Sequence, residues 1–228
     1  MGVTGAVEWR VAVGEDTTSA LYEPAKGGAA SRAVFVFAHG AGGSMRDKSM
    51  LAAANTMRDH GFDVVRYNFL YKEKGRGGPD QMPVLKKTVA AVVARVRDEL
   101  SGKKPLIIGG RSMGGRAASM LASEGFDCDG LLLLAYPLHP PGKPDQLRDA
   151  HLPSIKVPTL CFNGTRDPFC QPDLMEAVLK RVGKNFRMHW LDGADHSFHV
   201  LKSSGRTDAQ VLEEVGAASE TWASRSFA

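Results

Sequence analysis

At 228 residues the chain has room for one α/β domain and little beyond it. Apolar residues make up 43% and charged residues 24%, the balance of a globular protein with a buried core, and no apolar run approaches the roughly 20 residues of a membrane-spanning helix. The net charge of +4 comes from scattered Lys and Arg, and the densest stretch, 66–76, is broken by Glu73 and glycines; it is expected to be a solvated face and not a nucleic-acid footprint.

The first ten residues lack the apolar core of a secretory signal, and Ala6 stands where a myristoylation pattern wants Ser or Thr. Stretches 7–13 and 17–22 flank Gly14-Glu15-Asp16 and predict an antiparallel hairpin. Residues 33–38, AVFVFA, form a continuous apolar run, as expected of a strand buried on both faces. A helix over 48–60 is stopped by Gly61 and followed by a strand over 62–68. The clearest helix spans 83–100: Leu85, Val89, Val92, Val93, Val96 and Leu100 share one stripe, with Lys86, Lys87, Arg95 and Arg97 off it. A strand over 105–109 precedes a helix over 113–124 that ends at Gly125. Strands follow at 130–135, 158–162 and 186–191, with a helix over 173–182 between the last two, closed by Gly183. The last helix opens on Thr207-Asp208-Ala209-Gln210, a capping-box pattern, and turns Val211, Val215, Ala218 and Trp222 inward. Short strands alternating with helices predict a mostly parallel sheet with helices on both faces. The two long loops, 70–82 and 137–157, are too small for a separate lid domain. Cys128, Cys161 and Cys170 show no pattern, which argues against a disulfide framework or zinc site and suits a reducing cytosol.

The segment richest in chemistry is Gly110-Arg111-Ser112-Met113-Gly114, a G-x-S-x-G placed directly after a strand and directly before a helix. Such a turn lifts a serine hydroxyl above the sheet, and the helix N-terminus aims free N–H groups at developing negative charge. Phosphate-binding patterns do not fit. This turn continues Gly114-Gly115-Arg116 where a Walker loop needs Gly-Lys-Ser/Thr, and Gly40-Ala41-Gly42-Gly43-Ser44-Met45 lacks the third glycine of a dinucleotide fingerprint. A nucleophilic serine needs a base, and the base needs an orienting acid, in the chain order Ser, acid, His. Asp167 follows the strand at 158–162, and His196 follows the strand at 186–191; both stand in loops at strand carboxyl ends, where α/β sheets build sites. Asp195 is the rival acid, but its side chain should diverge from that of its neighbour His196. Asp167 has its own alternative as a turn-capping Asx residue. The remaining histidines are expected to be structural or exposed (His60, His189) or solvated near the pocket mouth (His139, His151, His199). An oxyanion hole would take one N–H from Met113 and a second from the turn at His39-Gly40-Ala41-Gly42, most simply Ala41. His39, Gly40, Gly42 and Arg111 are the candidate substrate-contacting residues. His39 also suits a turn-stabilising role, and Arg111 suits either a buried ion pair or a substrate carboxylate.

Six segments carry a family resemblance: FAHGAGGSM (37–45), RYNFLYKEKGRGGPD (66–80), GGRSMGGRAASMLA (109–122), AYPLHPPGKP (135–144), FNGTRDPF (162–169) and DGADHSF (192–198). With them the chain resembles the α/β-hydrolase superfamily, and within it the compact dienelactone-hydrolase-like branch. There it is most like a small group that includes a testis-expressed protein and a subunit of a chromatin acetyltransferase complex. The resemblance implies an α/β-hydrolase fold without a large cap over 1–228, and a Ser112, Asp167, His196 triad. It implies no cofactor or metal. The nucleophile here is serine and not cysteine, which argues against dienelactone itself as substrate.

The expected activity is hydrolysis of small carboxylic esters or thioesters by a cytoplasmic monomer or small homo-oligomer, with no nucleic-acid or membrane partner. The alternative is a non-catalytic scaffold, since a fold does not dictate a function. Arg111, Arg116, Lys72, Lys74 and Arg76 further suggest a preference for negatively charged acyl groups.

Overall fold

The computed structural model describes residues 5–27, 31–100 and 104–227. Eight strands form one sheet: β1 (Val7–Val13), β2 (Asp16–Glu23), β3 (Ala33–Ala38), β4 (Phe62–Tyr67), β5 (Leu106–Arg111), β6 (Gly130–Leu134), β7 (Thr159–Gly164) and β8 (Phe186–Leu191). Their order is β1-β2-β4-β3-β5-β6-β7-β8. The β1–β2 hairpin turns tightly, with Val13 opposite Asp16, and β2 runs antiparallel to β4. From β4 to β8 every pairing is parallel.

Side-chain alternation divides the core in two. Val34, Val36 and Ala38 of β3 pack on one face with Leu131 and Leu133 of β6, whereas Ala33, Phe35, Phe37, Leu132 and Leu134 pack on the other. The first face is covered by α3 (Met82–Glu99), α4 (Met113–Ser123) and α5 (Pro172–Leu179). The second is covered by α1 (Lys48–Asp59) and α6 (Asp208–Ser226). Thr207 caps α6 through the full capping box, accepting from Gln210 N–H while the Gln210 side chain accepts from Thr207 N–H. Ala218, expected inside, is only partly buried, and Val211, Val215 and Trp222 carry the packing.

Two strand boundaries differ from the sequence pattern, each for a tertiary reason. β5 runs on to Arg111 because Gly109 and Gly110 pair with Phe37 and Ala38 on one side and with Leu132 and Leu133 on the other; ladder pairing outweighs poor strand propensity. β7 runs on to Gly164 for the same reason, its last residues opposite Trp190 and Leu191 of β8. The loop at 70–82 holds one helical turn, α2 (Leu70–Glu73), and that at 137–157 a 3₁₀ turn, Leu152–Ser154. Neither builds a cap.

The order of the strands sets the place for chemistry. The chain passes from β3 to β4 on one side and then to β5 on the other, so a crevice opens at the carboxyl ends of β3 and β5. Ala38 lies opposite Gly110, which brings the turn after β3 against the turn after β5.

Candidate active site

Ser112 joins β5 to α4 with φ 49° and ψ −115°, a conformation that costs about 1–3 kcal/mol for a non-glycine residue and persists only where its surroundings impose it. Ala135 and Phe198, the other described non-glycine residues of positive φ, lie after β6 and beside His196, at the same end of the sheet. The Ser112 N–H donates to the carbonyl of Leu134 at 2.9 Å. Gly114 lets α4 approach β3: a Cβ there would lie 2.6 Å from both the Ala38 Cβ and the His39 carbonyl oxygen. Gly114→Ala is expected to destabilise the fold by about 1–3 kcal/mol through overpacking, measured as the shift in urea midpoint. An unchanged midpoint would mean that the helix can move aside freely.

The three candidate side chains lie in one hydrogen-bonded line. His196 Nε2 is 2.9 Å from Ser112 Oγ, and His196 Nδ1 is 2.8 and 3.0 Å from the two carboxylate oxygens of Asp167. Asp167 is buried and also accepts from Phe169 N–H at 2.8 Å and from Asn163 Nδ2 at 3.0 Å. Asn163, fully buried at the end of β7, ties the Asp167 loop to β6: its amide donates to Tyr136 O and accepts from Tyr136 N–H. The Phe169 ring packs on His196 with centroids 4.3 Å apart. Sequence patterns assigned Asn163 and Phe169 no role, and the only signal was their place in the FNGTRDPF segment around Asp167. Asp195 is engaged elsewhere: its Oδ1 accepts from the N–H groups of Ser197 and His199 at 2.7 and 3.1 Å, which caps the His196 turn.

The turn after β3 faces this line. Gly43 N–H donates to Gly40 O at 3.1 Å, and Gly42 has φ 74°, as the third position of a type II turn requires. Gly40 lies against Ser112, where a Cβ would stand 3.5 Å from the serine Cβ. The Ala41 N–H has no protein acceptor among the described residues, and that of Met113, first in α4, has no intrahelical partner. His39 is fully buried and braces the turn, with Nδ1–H donating to Gly40 O at 2.8 Å and Nε2 accepting from Phe69 N–H at 3.1 Å. Burial lowers its pKa, so the ring stays neutral. Both ring nitrogens are committed to backbone, the turn-stabilising arrangement.

Arg111 braces the His196 loop. Its guanidinium donates to the carbonyl of His196 at 3.0 Å and lies over the Phe198 ring at 4.9 Å. Burial lowers its pKa against the opposing pull of Asp195 and Asp167. Of the loop cations, Lys74 pairs with Asp16 and Arg76 with Asp80, each at 2.6 Å, which removes both from the expected cationic mouth. His139 is not solvated: it is buried, its Nδ1–H donating to Pro140 O and its Nε2 accepting from Gln171 N–H. His60 pairs with Glu213 and Glu220, His189 with Glu214 and the exposed His199 with Asp208.

His151 also departs from expectation, its Nε2 lying 2.8 Å from Ser119 Oγ. Burial, and then the charge of Arg116, pushes its pKa from 6.5 down to about 4. The unfolded chain therefore binds a proton that the native state refuses, and stability falls as pH drops from 6.5 to about 4. His151→Gln is expected to flatten the fall in melting temperature across that window, and equal slopes would assign the effect to another group.

The buried thiols are not poised for reaction. Burial raises the pKa of all three, that of Cys128 to about 12. Among the described residues no His, Cys, Asp or Glu cluster is arranged to hold a metal ion, and no helix is long and apolar enough to cross a membrane.

The fold recurs in solved structures. A lidless α/β serine hydrolase from Xanthomonas campestris is 20% identical with a TM-score of 0.76, covering 96% of each chain. An esterase from Pyrococcus furiosus is 15% identical with a TM-score of 0.78, covering 98% of this chain and 91% of its own. A dienelactone hydrolase from Anabaena variabilis is 19% identical with a TM-score of 0.72, covering 97% and 98%. At the sequence level, the family model for an alpha/beta hydrolase domain matches residues 31–224. With that match over most of its length, and a cap-free, mostly parallel eight-stranded sheet, this chain belongs to the alpha/beta hydrolase family.

Proposed function

We propose that this chain is a serine esterase that hydrolyses small carboxylic esters or thioesters, with Ser112 as nucleophile, His196 as general base and Asp167 as orienting acid. The observation that carries this proposal is the unbroken line from Asp167 through His196 to Ser112 Oγ. His196 Nε2 takes the hydroxyl proton as Oγ attacks the acyl carbon, while Asp167 holds Nδ1–H and so keeps Nε2 free to accept. The N–H groups of Met113 and Ala41 stabilise the oxyanion, a contribution of about 3–4 kcal/mol per donor. His196 then protonates the leaving group, and water repeats the sequence against the acyl-enzyme. Gly40 and Gly42 present bare backbone to the acyl group. No step calls on a cofactor. We place this activity in the cytoplasm, in a monomer or small homo-oligomer without nucleic-acid or membrane partners.

Labelling with a fluorophosphonate probe tests the proposal. The native protein should be modified at Ser112, and a folded protein that takes up no probe would instead be a scaffold. Acetate and butyrate esters are expected to be the best substrates. Leu138, Leu152 and Ile155 of the 137–157 loop are buried in the core and Leu147 is the loop's exposed large apolar residue, so no apolar lid is available to a lipid. A panel of 4-nitrophenyl esters of rising chain length, with emulsified triglyceride as the extreme, measures this, and efficient triglyceride turnover would overturn it.

A further inference from the structure

Arg116 lies on α4, four residues beyond Ser112 and so about 6 Å further along the helix axis. Its Nε is buried without a hydrogen-bond partner. Its charge reaches Tyr136, just beyond β6, and Arg148 and His151 in the 137–157 loop. Tyr136, two residues beyond the Leu134 carbonyl that accepts from Ser112, donates its hydroxyl to the Arg148 carbonyl at 2.6 Å. The Tyr136 ring lies 6.4 Å from that of His151, and His151 is bonded to Ser119, one turn along α4 from Arg116. The Arg148 backbone is fixed a second time, its N–H donating to Leu138 O at 2.7 Å. Both arginines are only partly exposed.

Among the described residues this cluster holds two guanidiniums and no acid paired with either. The carboxylates whose charge reaches it are Asp149 and Glu124, and both are paired elsewhere, Asp149 with Arg181 at 2.5 Å and Glu124 with Lys86. Among the described residues Arg116 and Arg148 have no ion-pair partner, and the Arg148 guanidinium makes no hydrogen bond. The two repel: burial, and then the charge of Arg116, lower the pKa of Arg148. The one histidine present is held neutral and adds no charge of its own. Two guanidiniums within reach of each other's charge and without a carboxylate suit an oxyacid group, whose oxygens can accept from both in charge-assisted hydrogen bonds.

We infer that Arg116 and Arg148 form an anion subsite beside Ser112, which takes a carboxylate or phosphate carried by the substrate. The inference rests on the hydrolase proposal for its link to catalysis, but not for the binding of the anion. It moves the charge selectivity from Arg111, Lys74 and Arg76, which are engaged elsewhere, to a pair that is not.

Two measurements test it in the full chain, each on wild type, Arg116→Gln and Arg148→Gln. The first is the ratio of kcat/KM for 4-nitrophenyl hemisuccinate to that for 4-nitrophenyl butyrate. Wild type should favour the hemisuccinate at low ionic strength and less so in 1 M sodium chloride, on the order of a 3 Å screening length. Either variant should lose at least about tenfold of the ratio, the loss of a hydrogen bond to a charged group. The second is the rise in melting temperature with inorganic phosphate or with succinate, expected in wild type and lost in both variants; the more effective anion names the oxyacid. Arg148→Glu, which gives Arg116 a carboxylate partner, should fold and show neither effect. A wild type that prefers the neutral ester at low salt and gains no stability from either anion overturns the inference, as do variants that keep both effects. If no ester is hydrolysed at all, the esterase proposal fails while the melting data still decide the anion site.

Discussion

Ser112→Ala is expected to abolish ester hydrolysis and fluorophosphonate labelling while leaving the protein folded. Loss of a nucleophile from such a constellation lowers kcat on the order of 10⁶-fold, and what remains comes from the oxyanion donors and binding. Among the described residues the Ser112 hydroxyl bonds only His196, at 2.9 Å, whereas the turn is held by the backbone bond from Ser112 N–H to Leu134 O and by the close approach of Gly114 to β3. Alanine keeps the backbone bond, and its methyl fits where the serine Cβ already lies. Melting temperature and far-ultraviolet circular dichroism should therefore stay close to wild type. Residual turnover within about tenfold of wild type would remove Ser112 from the role proposed for it.

Asp167→Asn and Asp195→Asn form the second comparison, and they should differ widely. Asp167 receives Nδ1–H of His196 on a buried carboxylate that also accepts from Asn163 and Phe169. An asparagine there can turn its own N–H₂ toward His196. The ring then protonates on Nε2 and can no longer take the proton of Ser112, which should lower kcat about 10⁴-fold with little change in KM. Asp195 uses Oδ1 to accept from the N–H groups of Ser197 and His199, and asparagine retains that oxygen. The expected change in kcat is less than about tenfold, since the cap is preserved. If the two results came out reversed, the acid would be Asp195 and the hydrogen-bonded line to Asp167 would have no catalytic meaning.

Much of the architecture was legible without coordinates because it rests on local patterns. Continuous apolar runs such as 33–38 predict strands covered on both faces, and the stripe through Leu85, Val89, Val92 and Val96 predicts the face that α3 buries. The chain order of Ser112, Asp167 and His196, each just beyond a strand, was enough to nominate the three residues, because parallel strands send their carboxyl ends to one side of the sheet.

What the sequence by itself determined is the set of elements, their alternation and the chemical types brought to one end. Only the tertiary structure decided which side chains meet. Asp167 and not Asp195 reaches His196, because the neighbouring Asp195 turns back to cap its own loop. Arg111, adjacent to the serine in sequence, is bonded to the His196 carbonyl, whereas Arg116 and Arg148, 32 positions apart, feel each other's charge and have no ion-pair partner among the described residues. His139 reads as a solvated residue in the sequence, but both its ring nitrogens are bonded to backbone in the interior, as are those of His39. The physical reason is common to all of these. Elements follow from the period of apolar residues along a short stretch, but a polar side chain's partner depends on which distant loop the fold lays against it. Burial favours a partner for each such group, and the buried Nε of Arg116 is an exception.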